Sequence, residues 1–292
     1  MVALVKKVTI LFSYPLGIGA SYALFAYLNS SFNSELAAYV SVLFGAALVT
    51  LHELTIPSRH EWRPTWTDIS NDATYMVVCQ ILFERLLTLL GLFLAVRLSV
   101  VTFSQVSGFW PQSFPVWVQA VAILVIGDFL RYWMHRGFHR FHWMWRLHAV
   151  HHSPSRLYWL NVGRFHPLEQ SLQFVADALP FMLLGVGPDV LSVYFVFYAV
   201  NGFYQHSNCD VRLGWLNWVV AGPELHRWHH SLNGKESNIN YGNNLILWDI
   251  VFGTRFFPKD RTVSSLGIPA EDYPSDFLRQ LAAPFDNRLR LD

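Results

Sequence analysis

Five apolar runs dominate the pattern of hydrophobic and polar positions along this chain, and short polar loops separate them. The first four lie at about 8–28, 35–56, 73–96 and 115–134. Each is close to the roughly 20 residues that a helix needs to cross the hydrocarbon of a bilayer. The fifth, at about 171–205, is interrupted by GVGPD at 186–190, which predicts a hairpin of two shorter helices, spanning or re-entrant. The pattern predicts an all-α, integral membrane helical bundle.

Composition agrees with a membrane protein and excludes some other classes. Hydrophobic residues make up 53% of the chain and charged residues only 14%. The formal net charge of +1 gives no reason to expect a nucleic-acid partner. Cys79 and Cys209 are the only cysteines, too few and too far apart for a disulfide framework.

Lysine and arginine positions predict how the helices are oriented. Lys6 and Lys7 precede the first apolar run, which is too long for a typical signal peptide and is predicted to be an uncleaved spanning helix. The loops NSSFNSE and VTFSQVSGFWPQSFP contain neither lysine nor arginine. By the positive-inside rule these loops lie outside, so the histidine-rich segments face the cytoplasm. We expect a multi-pass protein of a bacterial inner membrane or the endoplasmic reticulum.

Histidines recur with helical spacing in the segments that are expected to face the cytoplasm. His135 and His139 form H-x-x-x-H; two H-x-x-H-H motifs follow, at 148–152 and 226–230. Residues three and four apart share one face of a helix, so each motif is expected to direct its imidazoles to a common point. His142 falls outside these spacings and is expected to be a bystander.

The chemistry of imidazole narrows the function. Neutral imidazole suits iron, zinc, copper or nickel, and one metal accepts at most about six ligands, so eight convergent histidines imply two metals. The chain has no H-E-x-x-H motif of a zinc protease. Two irons that activate O2 against a lipid C–H bond fit best. A non-redox di-zinc membrane hydrolase and a metal-binding or transport protein remain as alternatives.

Longer segments around these histidines are characteristic of one superfamily. They are DFLRYWMHRGFH, WRLHAVHHS, QHSN, ELHRWHHS, NYG and WDIVFGT. Together they resemble the fatty acid hydroxylase and sterol desaturase superfamily over about 115–257, most closely its bacterial sterol-desaturase-like and alkylglycerol monooxygenase-like members. The resemblance implies N-terminal transmembrane helices over 1–114, a catalytic domain over 115–257 with a cytosolic histidine-rich di-metal cap, and a cytosolic tail over 258–292.

The resemblance also implies a set of ligands for two iron ions. They are His135, His139, His148, His151, His152, His206, His226, His229 and His230. Some relatives have a further histidine four residues before the one that matches His206, where this chain has Gly202. His166, or Asn201 through a water, could fill that coordination position. A structural hydrogen bond is the equally weighted alternative for His166.

Several residues are candidates to support the ligands. A metal-bound histidine commonly donates its second ring N–H to a carboxylate or a carbonyl. The carboxylates nearest to the motifs are Asp128, Glu169, Glu224 and Asp249, although each could instead pair with an arginine. Arg164, Asn238 and Tyr241 are weaker candidates for shaping the site.

The reaction class predicts further partners. Reduction of O2 to water takes four electrons, so for hydroxylation or desaturation two must come from outside the lipid substrate. No convincing flavin, nicotinamide or haem motif occurs in the sequence. A separate donor of the ferredoxin, cytochrome or pterin type is therefore expected.

Overall fold

The computed structural model describes residues 2–99 and 110–291. Within them the regular structure is helical, and the pairing of extended backbone is limited to isolated bridges such as Val220 with Leu245. The helices are α1 Val2–Asn29, α2 Ser34–Thr55, α3 Trp66–Tyr75, α4 Glu84–Ser99, α5 Val116–Arg140, α6 His142–His152, α7 Pro167–Asp177, α8 Leu179–Leu183, α9 Pro188–His206, α10 Pro223–His229, α11 Gly234–Ser237, α12 Leu247–Val251 and α13 Phe277–Ala282. The all-α prediction is confirmed.

Four helices of the described residues are long and apolar enough to cross a membrane. They are Ala3–Asn29, Ser34–Thr55, Trp66–Leu94 and Val116–Arg140. The third is continuous because a π-helical stretch, Met76–Phe83, joins α3 to α4. These helices coincide with the first four predicted spans. Positions 100–109, which include the first part of the predicted outer loop VTFSQVSGFWPQSFP, lie outside the described residues.

The fifth apolar region is interrupted where predicted, but it forms three helices and not the predicted two. Helices α7 and α8 precede the break, and α9 follows it. Gly185 takes the left-handed backbone conformation, with a φ of 73°, and Pro188 begins α9. Helix α9 packs closely on α2, where a Cβ added at Gly45 would lie 2.6 Å from Val200 Cγ2. This packing fixes the end of α9, where His206 lies.

The C-terminal segment packs against α6. Arg146 donates hydrogen bonds to four backbone carbonyls, those of Ala283, Pro284, Asp286 and Leu289, at 2.6 to 3.2 Å. A guanidinium with five N–H donors suits such a cluster of acceptors. The predicted division at 257/258 stays a prediction, but residues beyond it hold in place the helix that carries three histidines of the second motif.

Candidate metal centre

Nine buried or half-buried histidines converge in two groups. The five-histidine group consists of His135, His139, His148, His152 and His229, and the four-histidine group of His151, His206, His226 and His230. In each group one ring nitrogen from every member lies within 4.8 Å of the others. The structure therefore brings together every predicted ligand except His166.

Each H-x-x-H-H motif divides between the two groups. On α6, His148 and His152 belong to the five-histidine group and His151 to the four-histidine group. On α10 and its C-cap the division is reversed, since His226 and His230 join the four-histidine group and His229 the other. The expectation that each motif points to one place is wrong. A helix turns about 100° per residue, so adjacent histidines diverge while those four apart stay aligned.

Hydrogen bonds orient the rings of the four-histidine group. His151 Nδ1 lies 3.3 Å from the Arg164 carbonyl oxygen, and His206 Nδ1 lies 3.2 Å from that of Gly202. A carbonyl can only accept, so in the neutral rings Nδ1 carries the hydrogen and Nε2 a lone pair. The two Nε2 atoms are 3.2 Å apart. Two facing lone pairs repel unless a cation binds both, so this donor set fits a metal ion.

Backbone carbonyls also orient rings of the five-histidine group through Nδ1. His135 Nδ1 donates to the Tyr241 carbonyl at 2.9 Å, and His229 Nδ1 to that of Ile239 at 2.8 Å. Both Nε2 lone pairs therefore point inward. His148 Nδ1 is 2.7 Å from Glu169 Oε1, and its Nε2 is 3.0 Å from that of His135. Burial raises the pKa of Glu169 to about 8, while Arg131 and Gln173 favour its ionised form. The ionised carboxylate accepts from His148 Nδ1, and the two Nε2 atoms then form a second pair of facing lone pairs that a cation would relieve.

Burial keeps the imidazoles neutral. It lowers the pKa of His148, His151, His152, His226 and His230 well below the usual value, and neighbouring histidines lower these pKa values further. Burial lowers the pKa of His229 to about 4. Metal binding requires the unprotonated ring, so these environments favour ligation over protonation.

Among the predicted supporting carboxylates, Glu169 contacts a ligand ring directly and Asp249 acts through the backbone. Gln173 donates to the same Glu169 oxygen that His148 meets, at 2.8 Å. Asp249 accepts from the backbone N–H groups of Tyr241 and Gly242 at 2.8 and 2.7 Å. It thereby fixes the Tyr241 carbonyl that orients His135.

The other predicted supporting residues hold the surrounding loops. Asp128 accepts hydrogen bonds from the backbone N–H and the side-chain amide of Asn244, at 3.0 and 2.9 Å. Asn201 accepts from the Tyr14 hydroxyl at 2.7 Å and donates to Asn244. Glu224 accepts from the Leu213 N–H at 2.7 Å. In the described structure none of these three side chains is hydrogen-bonded to a histidine ring.

His166 lies outside both groups and caps a helix. Its Nδ1 accepts from the Leu168 N–H at 3.1 Å, at the start of α7, and its Nε2 donates to the Leu281 carbonyl at 3.2 Å. Both ring nitrogens are therefore occupied, and we leave His166 out of the proposed ligand set. His142, at the start of α6, is also outside the groups.

Two acids in the membrane helices support the site and were missed from the sequence. Asp72 on α3 accepts from Arg164 Nε at 2.5 Å, and so fixes the residue whose carbonyl orients His151. Glu53 on α2 accepts from the backbone N–H of Asn208 at 2.7 Å, just beyond His206. A carboxylate inside or at the end of an apolar run costs free energy to bury, so it usually has a functional or structural role. Their positions in the apolar runs could therefore have identified both acids from the sequence.

A small cavity of about 20 Å³ borders both histidine groups. His135 and His148 contribute to its wall from the five-histidine group, and His151, His206 and His226 from the other. The remaining wall includes Phe138 and Phe165 together with polar side chains, among them Arg131, Glu169 and Gln173. The cavity thus has room for about one water beside the histidine rings.

The region that contains the two histidine groups matches one known family. The sequence profile described as "Fatty acid hydroxylase" matches residues 120–254, which include all nine histidines of the two groups. No solved structure matches the chain.

One curated relative extends this match over most of the chain, and others match about half of it. An ornithine lipid hydroxylase, OlsE, of Rhizobium tropici is 34% identical over 262 residues, covering 86% of this chain and 76% of the relative. The alkylglycerol monooxygenase of Xenopus tropicalis is 30% identical over 169 residues, covering 56% of this chain and 35% of the relative. A very-long-chain aldehyde decarbonylase, GL1-8, of Oryza sativa subsp. indica is 31% identical over 140 residues, covering 47% of this chain and 51% of the relative.

Proposed function

Since the chain belongs to the fatty acid hydroxylase family, as its motifs predict, we propose that it is an O2-dependent di-iron oxygenase that hydroxylates or desaturates a membrane lipid. The observation that carries the proposal is the pair of histidine groups. Nine imidazoles exceed the six or so ligands of one metal, and each group has facing lone pairs that a cation would relieve. The names of the relatives, a lipid hydroxylase and a monooxygenase, support the same reaction class.

In this proposal the nine histidines hold two iron ions. Bound iron would supply the redox chemistry that activates O2. Glu169 and the backbone carbonyls of Tyr241, Ile239, Arg164 and Gly202 fix the rings so that the Nε2 lone pairs stay inward. The protein thus contributes a preorganised, buried set of donors.

The electron balance requires a partner. Hydroxylation consumes a C–H bond, one O2, two electrons and two protons, and gives an alcohol and one water. Desaturation consumes two C–H bonds, one O2, two electrons and two protons, and gives an alkene and two waters. Both need two external electrons, which we assign to a separate ferredoxin, cytochrome or pterin donor.

The proposed location places the histidine groups at the cytoplasmic face of the membrane. The distribution of lysine and arginine supports this orientation, because the two predicted outer loops contain neither residue. There the lipid can enter from the bilayer while electrons arrive from the aqueous side.

Comparative lipidomics tests the function. Membranes of a host that expresses the wild-type chain should contain a lipid with one added oxygen or two fewer hydrogens, and membranes with His151→Ala should lack it. His142→Ala is the matched control, because His142 is in the same helix but outside both groups. A lipid profile that is identical for wild type and His151→Ala would contradict the proposal.

A further inference from the structure

The short helix α12 packs against α5, a helix of membrane-spanning length. The indole N–H of Trp248 on α12 donates to the backbone carbonyl of Val125 on α5 at 3.1 Å. Phe252, just after α12, stacks on Tyr132 of α5, with ring centroids 5.2 Å apart. The segment 244–252 therefore runs along α5 towards the end that carries the histidines.

The beginning of this segment lies at the depth of hydrocarbon. Asp128 on α5 accepts a hydrogen bond from the backbone N–H of Leu245. The apolar run of α5 ends at about 134, six residues after Asp128, which corresponds to about 9 Å along the helix axis. Half of a ~30 Å hydrocarbon core is about 15 Å. The contact with Leu245 is therefore more than halfway from the surface of the hydrocarbon to the bilayer centre.

The exposed face of α12 is aliphatic. Leu247, Ile250 and Val251 expose 38%, 39% and 56% of their surfaces, whereas Asp249 between them is completely buried. We call these three exposed residues the aliphatic face of α12. Apolar side chains gain free energy on leaving water, and at this depth the surrounding solvent is the acyl chains of lipids.

Polar groups at both ends of α12 are hydrogen-bonded within the protein. The N–H of Ile246 donates to the Val219 carbonyl at 3.1 Å, and the N–H of Thr254 donates to the Asp249 carbonyl at 2.8 Å. The Asp249 carboxylate accepts from the Thr254 hydroxyl at 2.7 Å. A segment inside a bilayer must satisfy its polar groups with protein partners, and these contacts meet that requirement.

The loop before Val219 has the side chains of a membrane–water interface. Trp215 and Trp218 expose 73% and 60% of their surfaces. The N–H of Arg212 donates to the carbonyl of Ile10 at 2.9 Å, near the start of the apolar run of α1. Tryptophan is enriched where headgroups meet hydrocarbon. This loop therefore suits the bilayer surface, while α12 lies deeper.

We propose that residues 244–252 form a re-entrant segment, whose aliphatic face on α12 contacts the acyl chains of the leaflet nearer the histidine groups. Part of the region expected to form a cytosolic cap then lies inside the bilayer. Asp249 in this segment fixes the carbonyl that orients His135, so the membrane contact adjoins the five-histidine group. The inference concerns membrane contact and is independent of the proposed reaction.

Spin labels test this contact in the full chain. Leu247→Cys and Val251→Cys are labelled with a thiol-reactive nitroxide and reconstituted into vesicles of phosphatidylcholine and phosphatidylglycerol. Unsubstituted protein gives the background, because Cys79 and Cys209 are both buried. We expect each label to be accessible to O2 and about tenfold less accessible to a water-soluble nickel complex than a label at the exposed Lys259→Cys, since hydrocarbon excludes polar solutes.

Ile126→Cys is the matched lipid control, because Ile126 is 47% exposed on α5 next to Val125. The label at Leu247→Cys should lie deeper than the label at Val251→Cys, since the segment runs towards the histidine end of α5. Both native side chains are exposed, so the fold should tolerate the labels, which thermal unfolding checks. Nickel access equal to that of Lys259→Cys at both positions would overturn the inference. Low access to both O2 and nickel would also overturn it, because it would indicate a protein contact such as a second copy of the chain.

Discussion

The two histidine groups differ in what holds their rings. In the five-histidine group the outer nitrogens meet a carboxylate, Glu169, an amide oxygen, Asn238, and two backbone carbonyls. In the four-histidine group they meet the carbonyls of Arg164 and Gly202, while His226 Nδ1 is buried without a partner in the described structure. A carboxylate raises the basicity of its histidine, so we infer that the five-histidine group binds its metal more tightly.

The groups also differ in their access to the cavity. Three of four histidines in the smaller group line it, compared with two of five in the larger. A catalytic metal site typically has fewer protein ligands than a closed one, and leaves a coordination position open to a reactant. The smaller group has fewer histidines, and a larger share of them borders the cavity. We therefore expect the four-histidine group to be the more open metal site, and the following predictions test this difference.

Removal of one ligand from either group should give the largest effect. His148→Ala opens the five-histidine group and His151→Ala the four-histidine group. We expect each variant to retain about one metal per chain. Its lipid-oxidising activity should fall by more than the ~100-fold that can follow the loss of a residue hydrogen-bonded to a metal ligand. Metal analysis and lipidomics of the same preparations measure both quantities. A variant that keeps two metals and full conversion would remove that histidine from the ligand set.

Loss of the carboxylate behind His148 should give the next largest effect. Glu169→Gln keeps the shape of the side chain but removes the charge, and should lower metal affinity or activity by about 10-fold to 100-fold. Glu224→Gln is the matched control, because Glu224 contacts Leu213 and Asn217 and no ligand ring in the described structure. Equal losses in the two variants would show that Glu169 serves the fold alone.

Chelation should separate the two groups. The four-histidine group has fewer donors and no carboxylate partner in the described structure, so a chelator should remove its metal first, in a biphasic titration. The first phase should be absent from His151→Ala and present in His148→Ala. A single phase for wild type would contradict the proposed difference in affinity.

His166 should show the smallest effect. His166→Ala removes the cap of α7 and should cost about 1 kcal/mol of stability, which His166→Asn should largely restore. Neither change should alter the metal content, because both ring nitrogens bond to the backbone. Thermal unfolding and metal analysis check this pair. Loss of a metal from His166→Ala would return His166 to the ligand set.

Local sequence features were sufficient to predict the spans and the eight histidines of the three motifs, whereas His206 was implied by the family resemblance. Run length alone determines whether a helix can cross a bilayer, and helical spacing within each motif brings its imidazoles to one end. The division of each motif between two groups depends on how α6 and α10 face each other, which spacing does not encode. Pro167 at the start of α7 was a cue that His166 could be a cap.

Supporting contacts were harder to predict because their partners are distant in sequence. Asp72 fixes Arg164 from 92 positions away, and Asp128 holds Asn244 from 116. Glu224 was predicted to support a ligand because it is two residues from His226, but it accepts a hydrogen bond from the Leu213 N–H instead. Only the packing of α3 and α5 on the loops reveals these roles.

The most direct test of the central claim is the metal content of purified, active wild-type protein, measured together with O2 consumption. We expect two irons per chain and O2 uptake that depends on lipid and on an electron donor. A turnover-competent enzyme that retains stoichiometric zinc and consumes no O2 would contradict it and would favour a di-zinc hydrolase.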